Sequence, residues 1–151
     1  SYTGLRIGVS AAKGLCFAND IPLVSVSSLE ILANSCNFNG IIIPTIDARR
    51  DEVYSSAFFQ SNMISKEKPE IIVSESFIEY LKNNKIKIVG NGQFKCEKII
   101  KKHKKIFFDK NIINPSSKYM PELSYRKFIN NEFEDLAYFE PTYLKEFKTN
   151  L

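Results

Sequence analysis

The chain has 151 residues, a net charge of +4, 44% hydrophobic and 25% charged residues, an ordinary globular balance that leaves room for a core and excludes disordered and fibrous classes. No apolar run approaches the roughly 20 residues of a membrane-spanning helix and no signal peptide precedes the first element, so a cytoplasmic, membrane-free protein is expected. Cys16, Cys36 and Cys96 are widely spaced without a Cys-x-x-Cys pair and are expected as buried reduced thiols rather than metal or redox groups.

Ser1-Tyr-Thr-Gly-Leu-Arg-Ile-Gly-Val-Ser-Ala-Ala-Lys-Gly-Leu15 reads as a glycine turn entering a helix that is apolar or small on nearly every side. Thr3 is placed to cap its first turn, and Gly8, Ala11, Ala12 and Gly14 thin its surface so that another element can approach. Arg6, Ser10 and Lys13 fall on one stripe at i, i+4 and i+7, suited to water or an anion. Two readings stand: a packed core helix with a snorkelling basic edge, or a helix start facing phosphate or a partner. A chain that starts at Ser1, already in a turn, reads as a fragment whose preceding strands lie upstream.

Leu23-Val-Ser-Val26 is expected as a short strand, and Ser27 with Glu30 as the capping box of a helix through about Cys36. Ile41–Ile46 and Val53–Phe59 are β-rich runs joined by the charged turn Asp47-Ala-Arg-Arg-Asp-Glu52, a hairpin pattern. Glu70–Val73 is read as entering a helix capped by Ser74 and ending near Asn83-Asn84. Lys85–Val89 follows as a strand, broken by Gly90-Asn-Gly92 before a lysine-rich helix. Ile106–Phe108 closes the series, and residues 116–130 read as helical with Pro121 kinking or restarting them. Helices alternating with strands, plus one antiparallel hairpin, predict a mixed α/β sheet with flanking helices.

Between Lys95 and Lys105 stand six lysines (95, 98, 101, 102, 104 and 105) against Glu97 alone, more than the whole net charge. On one helix face such a patch suits a phosphate backbone, although most lysine-rich helices are simply solvated and no aromatic residues interleave with it. His103, inside this run, is the only histidine. Ser-His-Asp or Cys-His chemistry would have to use it, and no neighbouring carboxylate in sequence orients its ring. Gly90-Asn-Gly92 lacks the lysine and full glycine pattern of a phosphate loop. Five charges in the turn Asp47–Glu52 keep a sheet edge soluble, or form arginine forks for carboxylates or phosphate.

Four segments taken together, Ser1–Leu15, Ile21-Pro-Leu-Val-Ser-Val-Ser-Ser-Leu-Glu30, Asp47-Ala-Arg-Arg-Asp-Glu-Val-Tyr54 and Glu140-Pro-Thr-Tyr-Leu-Lys145, resemble the TsaB (YeaZ) family, the bacterial subunit of the tRNA threonylcarbamoyladenosine machinery. The resemblance implies an actin-like, heat-shock-ATPase-like fold of two related lobes on ribonuclease-H-like sheets. It implies residues 1–38 as the remainder of the N-terminal lobe, 39–136 as the C-terminal lobe, and 137–151 as a tail packing back toward the first. It also implies support rather than catalysis: a non-catalytic partner of TsaD, with TsaE, tRNA through the complex and a homodimer as further associations. No tightly bound cofactor is expected, only ATP or ADP at a complex interface. The metal of a catalytic relative needs paired histidines a helical turn apart, and His103 stands alone. No catalytic or metal residue is therefore assigned. Thr3, Gly4, Arg6, Asp47, Arg49, Arg50, Gly90 and Gly92 are the candidates for facing partner or nucleotide. Lys98, Lys101, Lys102 and Lys105 are the candidates for facing tRNA. The alternative is a weak nucleotide-hydrolysing or metallopeptidase-like (glycoprotease) enzyme of the same superfamily.

Overall fold

An unbroken apolar run such as Ile41-Ile-Ile needs cover on both faces of a sheet, and in the structure, a computed structural model describing residues 2–145, it has it. The strands are β1 (Ile41–Asp47), β2 (Glu52–Phe59), β3 (Asn62–Ile71), β4 (Ile86–Val89) and β5 (Ile106–Phe108). They form one five-stranded sheet ordered β3-β2-β1-β4-β5. β1, β2 and β3 are antiparallel neighbours, whereas β1, β4 and β5 run parallel. Successive side chains alternate between faces. Ile41, Ile43, Val53, Ile86 and Ile88 therefore pack with Cys96 and Ile100 on one side. Ile42, Phe58 and Val89 pack with Leu32, Ala33 and Cys36 on the other. This is the mixed sheet expected of a ribonuclease-H-like lobe.

The helices cover these faces. α2 (Ser28–Asn34) starts where expected: Leu29 N–H donates to the Ser27 hydroxyl over 3.1 Å, satisfying one orphan donor of the first turn. Ser27 also donates to Glu67 on β3. α3 (Gln93–Ile99) returns from the carboxyl end of β4. The turn between them is held by Gly90, whose φ of +91° suits a residue without Cβ. A Cβ there would lie 2.1 Å from the Thr45 carbonyl oxygen. Gly92 is almost as tight, since its Cβ would lie 2.9 Å from that of Thr45. Thr45 is fully buried and donates its hydroxyl to Val89 O over 2.8 Å.

The chain divides into two units, Ser27–Tyr119, which holds the sheet, and Ser1–Val26 with Met120–Leu151. In the second, α1 (Tyr2–Asn19) and α4 (Met120–Ile129) are the helices. Pro121 sits in the first turn of α4, where its missing N–H costs nothing. Leu23 bridges Glu134, and Ser25 donates to the Glu134 carboxylate. Residues 146–151 of the expected tail lie outside the described residues.

Several expectations are corrected. Thr3 lies inside α1 and not at its cap. The packed-core reading of α1 fails among the described residues, because Cys16 alone is buried. Leu23–Val26 is not a strand but a single bridge. The helix expected from a Ser74 cap to about Asn83-Asn84 is replaced by a turn in which Val73 N–H donates to Ser76 Oγ over 3.0 Å and a 3-10 helix at Ile78–Leu81, while Glu70 and Ile71, read as leading into it, end β3. Asn62–Ile71 is a strand that the sequence pattern does not announce, because Lys66, Glu67, Lys68 and Pro69 break the apolar alternation; those residues protect an edge. The lysine helix stops at Ile99, so Lys101–Lys105 occupy a loop. The three cysteines are buried free thiols, and burial pushes Cys96 up to about 12.

Gly90→Ala is expected to cost at least about 2 kcal/mol in urea unfolding, from a left-handed backbone and a clash with β1. Gly14→Ala, whose Cβ meets nothing within 4 Å, should be neutral or stabilising by up to about 1 kcal/mol. Equal midpoints for the two variants would contradict the packing described here.

Candidate functional site

The carboxyl ends of β1 and β4 carry the densest polar arrangement. Asp47, the last residue of β1, accepts Lys95 Nζ at 2.9 Å and Arg49 N–H at 2.7 Å through one carboxylate oxygen. Lys95 Nζ also donates to Glu52 O over 2.8 Å, so one ammonium ties α3 to both sides of the turn. Asn91 Oδ1 accepts the Asp47 N–H at 2.8 Å, and Gly92 N–H donates to Thr45 O over 3.2 Å. Asp47, Gly90 and Gly92 are thus brought together from two distant segments. The Lys95 hydrogen bond, helped by the Arg49 N–H and opposed by partial burial, holds the Asp47 carboxyl below its ordinary value.

Arg49 and Arg50 follow with φ of +67° and +47°, a left-handed pair that reverses the chain. Both are exposed, and among the described residues neither guanidinium has a partner. One oxygen of the half-exposed Asp47 carboxylate is taken up within the turn, while the two arginines lie wholly on its solvent side. Gly90 and Gly92 are buried, and their backbones approach β1. Behind them Gln93 is fully buried and donates its amide to Asp109 O and Ile112 O over 3.0 Å each, and among the described residues its Oε1 has no donor.

At the other end of α3 the lysines separate into two groups. Lys95 is spent on Asp47, and Lys105 donates to Leu81 O over 3.2 Å. Lys98, Lys101, Lys102 and Lys104 are exposed. Glu97 is held by Lys110 at 3.2 Å. A shallow depression of about 390 Å³ opens here, floored by Ile100, Ile106 and Phe108 and rimmed by Lys101, Lys102 and His103. Among the described residues no group of three His, Cys, Asp or Glu side chains is arranged to hold a metal ion.

In the other unit, α1 uses Val9, Ala12, Lys13 and Cys16 as its covered stripe. Lys13, expected in water, donates to Ala137 O and Phe139 O over 2.9 and 3.0 Å. Arg6 stacks 4.3 Å from the Tyr2 ring centroid and donates to Tyr143 Oη over 3.2 Å. The Tyr143 hydrogen bond raises the Arg6 pKa above its ordinary value. Thr3 and Gly4 lie on the exposed side of the first turn. Leu5, Ile7, Leu15 and Phe17 project outward, Phe17 being 80% exposed. Composition hinted at this surface; Asn91 had only its place between the turn glycines, Lys95 only its membership of the lysine run and Thr45 only its place in a β-rich run, none of which signals their meeting.

A family model described as TsaD: tRNA N6-adenosine threonylcarbamoyltransferase matches residues 1–148. The tRNA threonylcarbamoyladenosine biosynthesis protein TsaB of Bacillus subtilis strain 168 is 33% identical, over 96% of this chain and 65% of its own length. The TsaB of Buchnera aphidicola subsp. Baizongia pistaciae is 31% identical, over 97% of this chain and 69% of its own. The chain belongs to the TsaB (YeaZ) family. It spans about two thirds of the length of these TsaB relatives. A Pseudomonas aeruginosa crystal structure, described as an uncharacterized protein with similarity to peptidase YEAZ, superposes with a TM-score of 0.80. It is 24% identical and covers 96% of this chain and 69% of its own, so it bears on the fold, which is the actin-like, ribonuclease-H-like one. Among the described residues no helix is long and apolar enough to cross a membrane.

The lowered Asp47 pKa makes a signed prediction. A carboxyl depressed on folding contributes stability that is complete above its unfolded value of about 3.9 and is lost as pH falls through the folded value. The stability gap between the unaltered chain and Asp47→Asn should therefore be widest near neutrality and shrink below about pH 4. A gap that grows on acidification would contradict the Asp47–Lys95 assignment.

Proposed function

We propose that this chain is the non-catalytic partner subunit of the tRNA threonylcarbamoyladenosine-modifying system, docking a TsaD-type catalytic subunit through the outer face of α1. The observation that carries this reading is the exposure of that face. Ile7, Leu15 and Phe17 are 64%, 66% and 80% exposed, and burying such a side chain is worth about 1.5–3 kcal/mol. Gly8 and Gly14 lie on the same helix, where a Cβ would meet nothing within 4 Å. Glycine inside a helix costs about 1 kcal/mol relative to alanine, and close approach by a partner's backbone gives that cost a purpose.

The match to a TsaD family model supports a partner of related fold. Chemistry then belongs to that partner, since this chain has one histidine, and it is an exposed loop residue whose Nδ1 accepts the Lys105 N–H at 3.2 Å. TsaE and ATP or ADP join at the assembled interface in the cytoplasm, no cofactor is held tightly by this chain alone, and a second copy of the chain competes for the α1 face.

Leu15→Asp with Phe17→Asp should leave the circular dichroism melt of the purified chain unchanged and weaken capture of TsaD by at least about a hundredfold, near 3 kcal/mol. Gly8→Ala should stabilise the isolated chain and still weaken capture. Undiminished capture in the double variant would overturn the proposed surface. Calorimetric binding of zinc or iron with peptide or ATP turnover would overturn the non-catalytic role.

A further inference from the structure

Parallel pairing of β4 and β5, with Ile86 opposite Ile106, brings out at one end of the sheet two loops that α3 separates in sequence. One carries Lys82 and Lys85, the other Lys101, Lys102 and Lys104, with Lys98 at the end of α3; all six side chains are exposed. The loops are tied together: Ile86 N–H donates to Lys105 O over 2.8 Å, and Lys105 Nζ to Leu81 O over 3.2 Å. Lys101 N–H donates to Ser74 O over 3.0 Å, fixing the second loop from its other side. Among the described residues none of the six lysines is in a salt bridge. The exposed acids in the segments next to these loops are Glu75, Glu79 and Glu97; Glu97 also lines the depression and is held by Lys110.

We infer that this end of the sheet is a composite binding site for the phosphate backbone of RNA, made jointly by the Lys82–Lys85 and Lys98–Lys104 segments. The inference goes beyond the partner contact, from which it is separate in residues and in test. Several unpaired ammonium groups on two tethered loops match closely spaced phosphates, which lysine holds as a point charge without reading sequence. Beside the Lys98–Lys104 segment lies a depression lined by Ile100, Ile106 and Phe108 below a rim of Lys101, Lys102 and His103, with Glu97 at its edge. A ribose or an unstacked base reaches such a recess, whereas the flat surface of an anionic bilayer meets only the rim. Because His103 Nδ1 accepts from Lys105 N–H, the other ring nitrogen is the one left to donate to a phosphate oxygen.

The test is fluorescence anisotropy of a fluorescein-labelled, unmodified tRNA transcript titrated with the purified full chain across a range of potassium chloride concentrations, without TsaD. Each lost phosphate contact lowers the slope of log affinity against log salt by roughly 0.7–0.9. Lys101→Ala, Lys102→Ala and Lys104→Ala combined should reduce the slope by roughly 2 and weaken binding roughly hundredfold at about 0.1 M salt. Lys82→Ala with Lys85→Ala should also reduce it, by roughly 1.5, although these residues lie outside the lysine run. Lys66→Ala with Lys68→Ala on β3 should leave it unchanged, and Lys→Arg at the three loop positions should restore it. An unchanged slope in the triple variant, no binding of the transcript by the unaltered chain, or binding of phosphatidylglycerol vesicles in place of the transcript would each overturn the inference. TsaD capture is read separately, so failure here leaves the partner contact standing, and the reverse.

Discussion

The close seat of Gly90 over the Thr45 carbonyl sets the geometry of the whole sheet unit. It lets β4 turn into α3 directly against the end of β1, and so places Lys95 where its ammonium reaches both Asp47 and Glu52 O. From that contact the hairpin turn inherits its shape, with the half-exposed Asp47 carboxylate bonded to Lys95 and to the Arg49 N–H and the Arg49 and Arg50 side chains in solvent. α3 inherits its direction as well, which decides that the lysines following it emerge at the opposite end of the sheet. A side chain at Gly90 would push α3 off β1 and disturb both ends at once.

The division of labour among the lysines follows from this placement. A run that looks uniform in sequence is split by structure into a structural cation at Lys95, a loop tether at Lys105 and exposed cations between them. Parallel pairing then recruits Lys82 and Lys85, which no local reading would group with the run. In the other unit, likewise, the two basic members of the polar stripe of α1 are engaged within the unit: Lys13 holds two carbonyls of the 137–139 segment and Arg6 is stacked on Tyr2 and bonded to Tyr143. What α1 offers outward is its apolar residues.

Much of the sheet was legible beforehand, for reasons that can be stated. Ile41–Ile46, Val53–Phe59 and Ile86–Val89 are β-branched or aromatic runs bounded by turn residues, and Ser27 is a strong cap at a helix start. β3 was hidden because an edge strand is defended by the residues that disguise it, Lys66 through Pro69. Of the two readings of α1, the packed-core one assumed that apolar means buried, which holds only where a chain supplies the cover. Of the site residues, Asp47, Gly90 and Gly92 were found through unusual local composition, and their meeting was not, because it depends on the parallel pairing of β1 and β4. Family resemblance reached the fold and the pathway name; it did not reach the side chains that organise the turn.

The central idea, that α1 is a surface made for a partner and not a stray core element, is tested most directly by amide hydrogen exchange on the purified chain with and without TsaD. Slowed exchange concentrated in residues 2–19, with the sheet unit unchanged apart from any directly covered loop, is the expected result. Protection confined to the sheet unit, with α1 exchanging as fast in the mixture as alone, would contradict it.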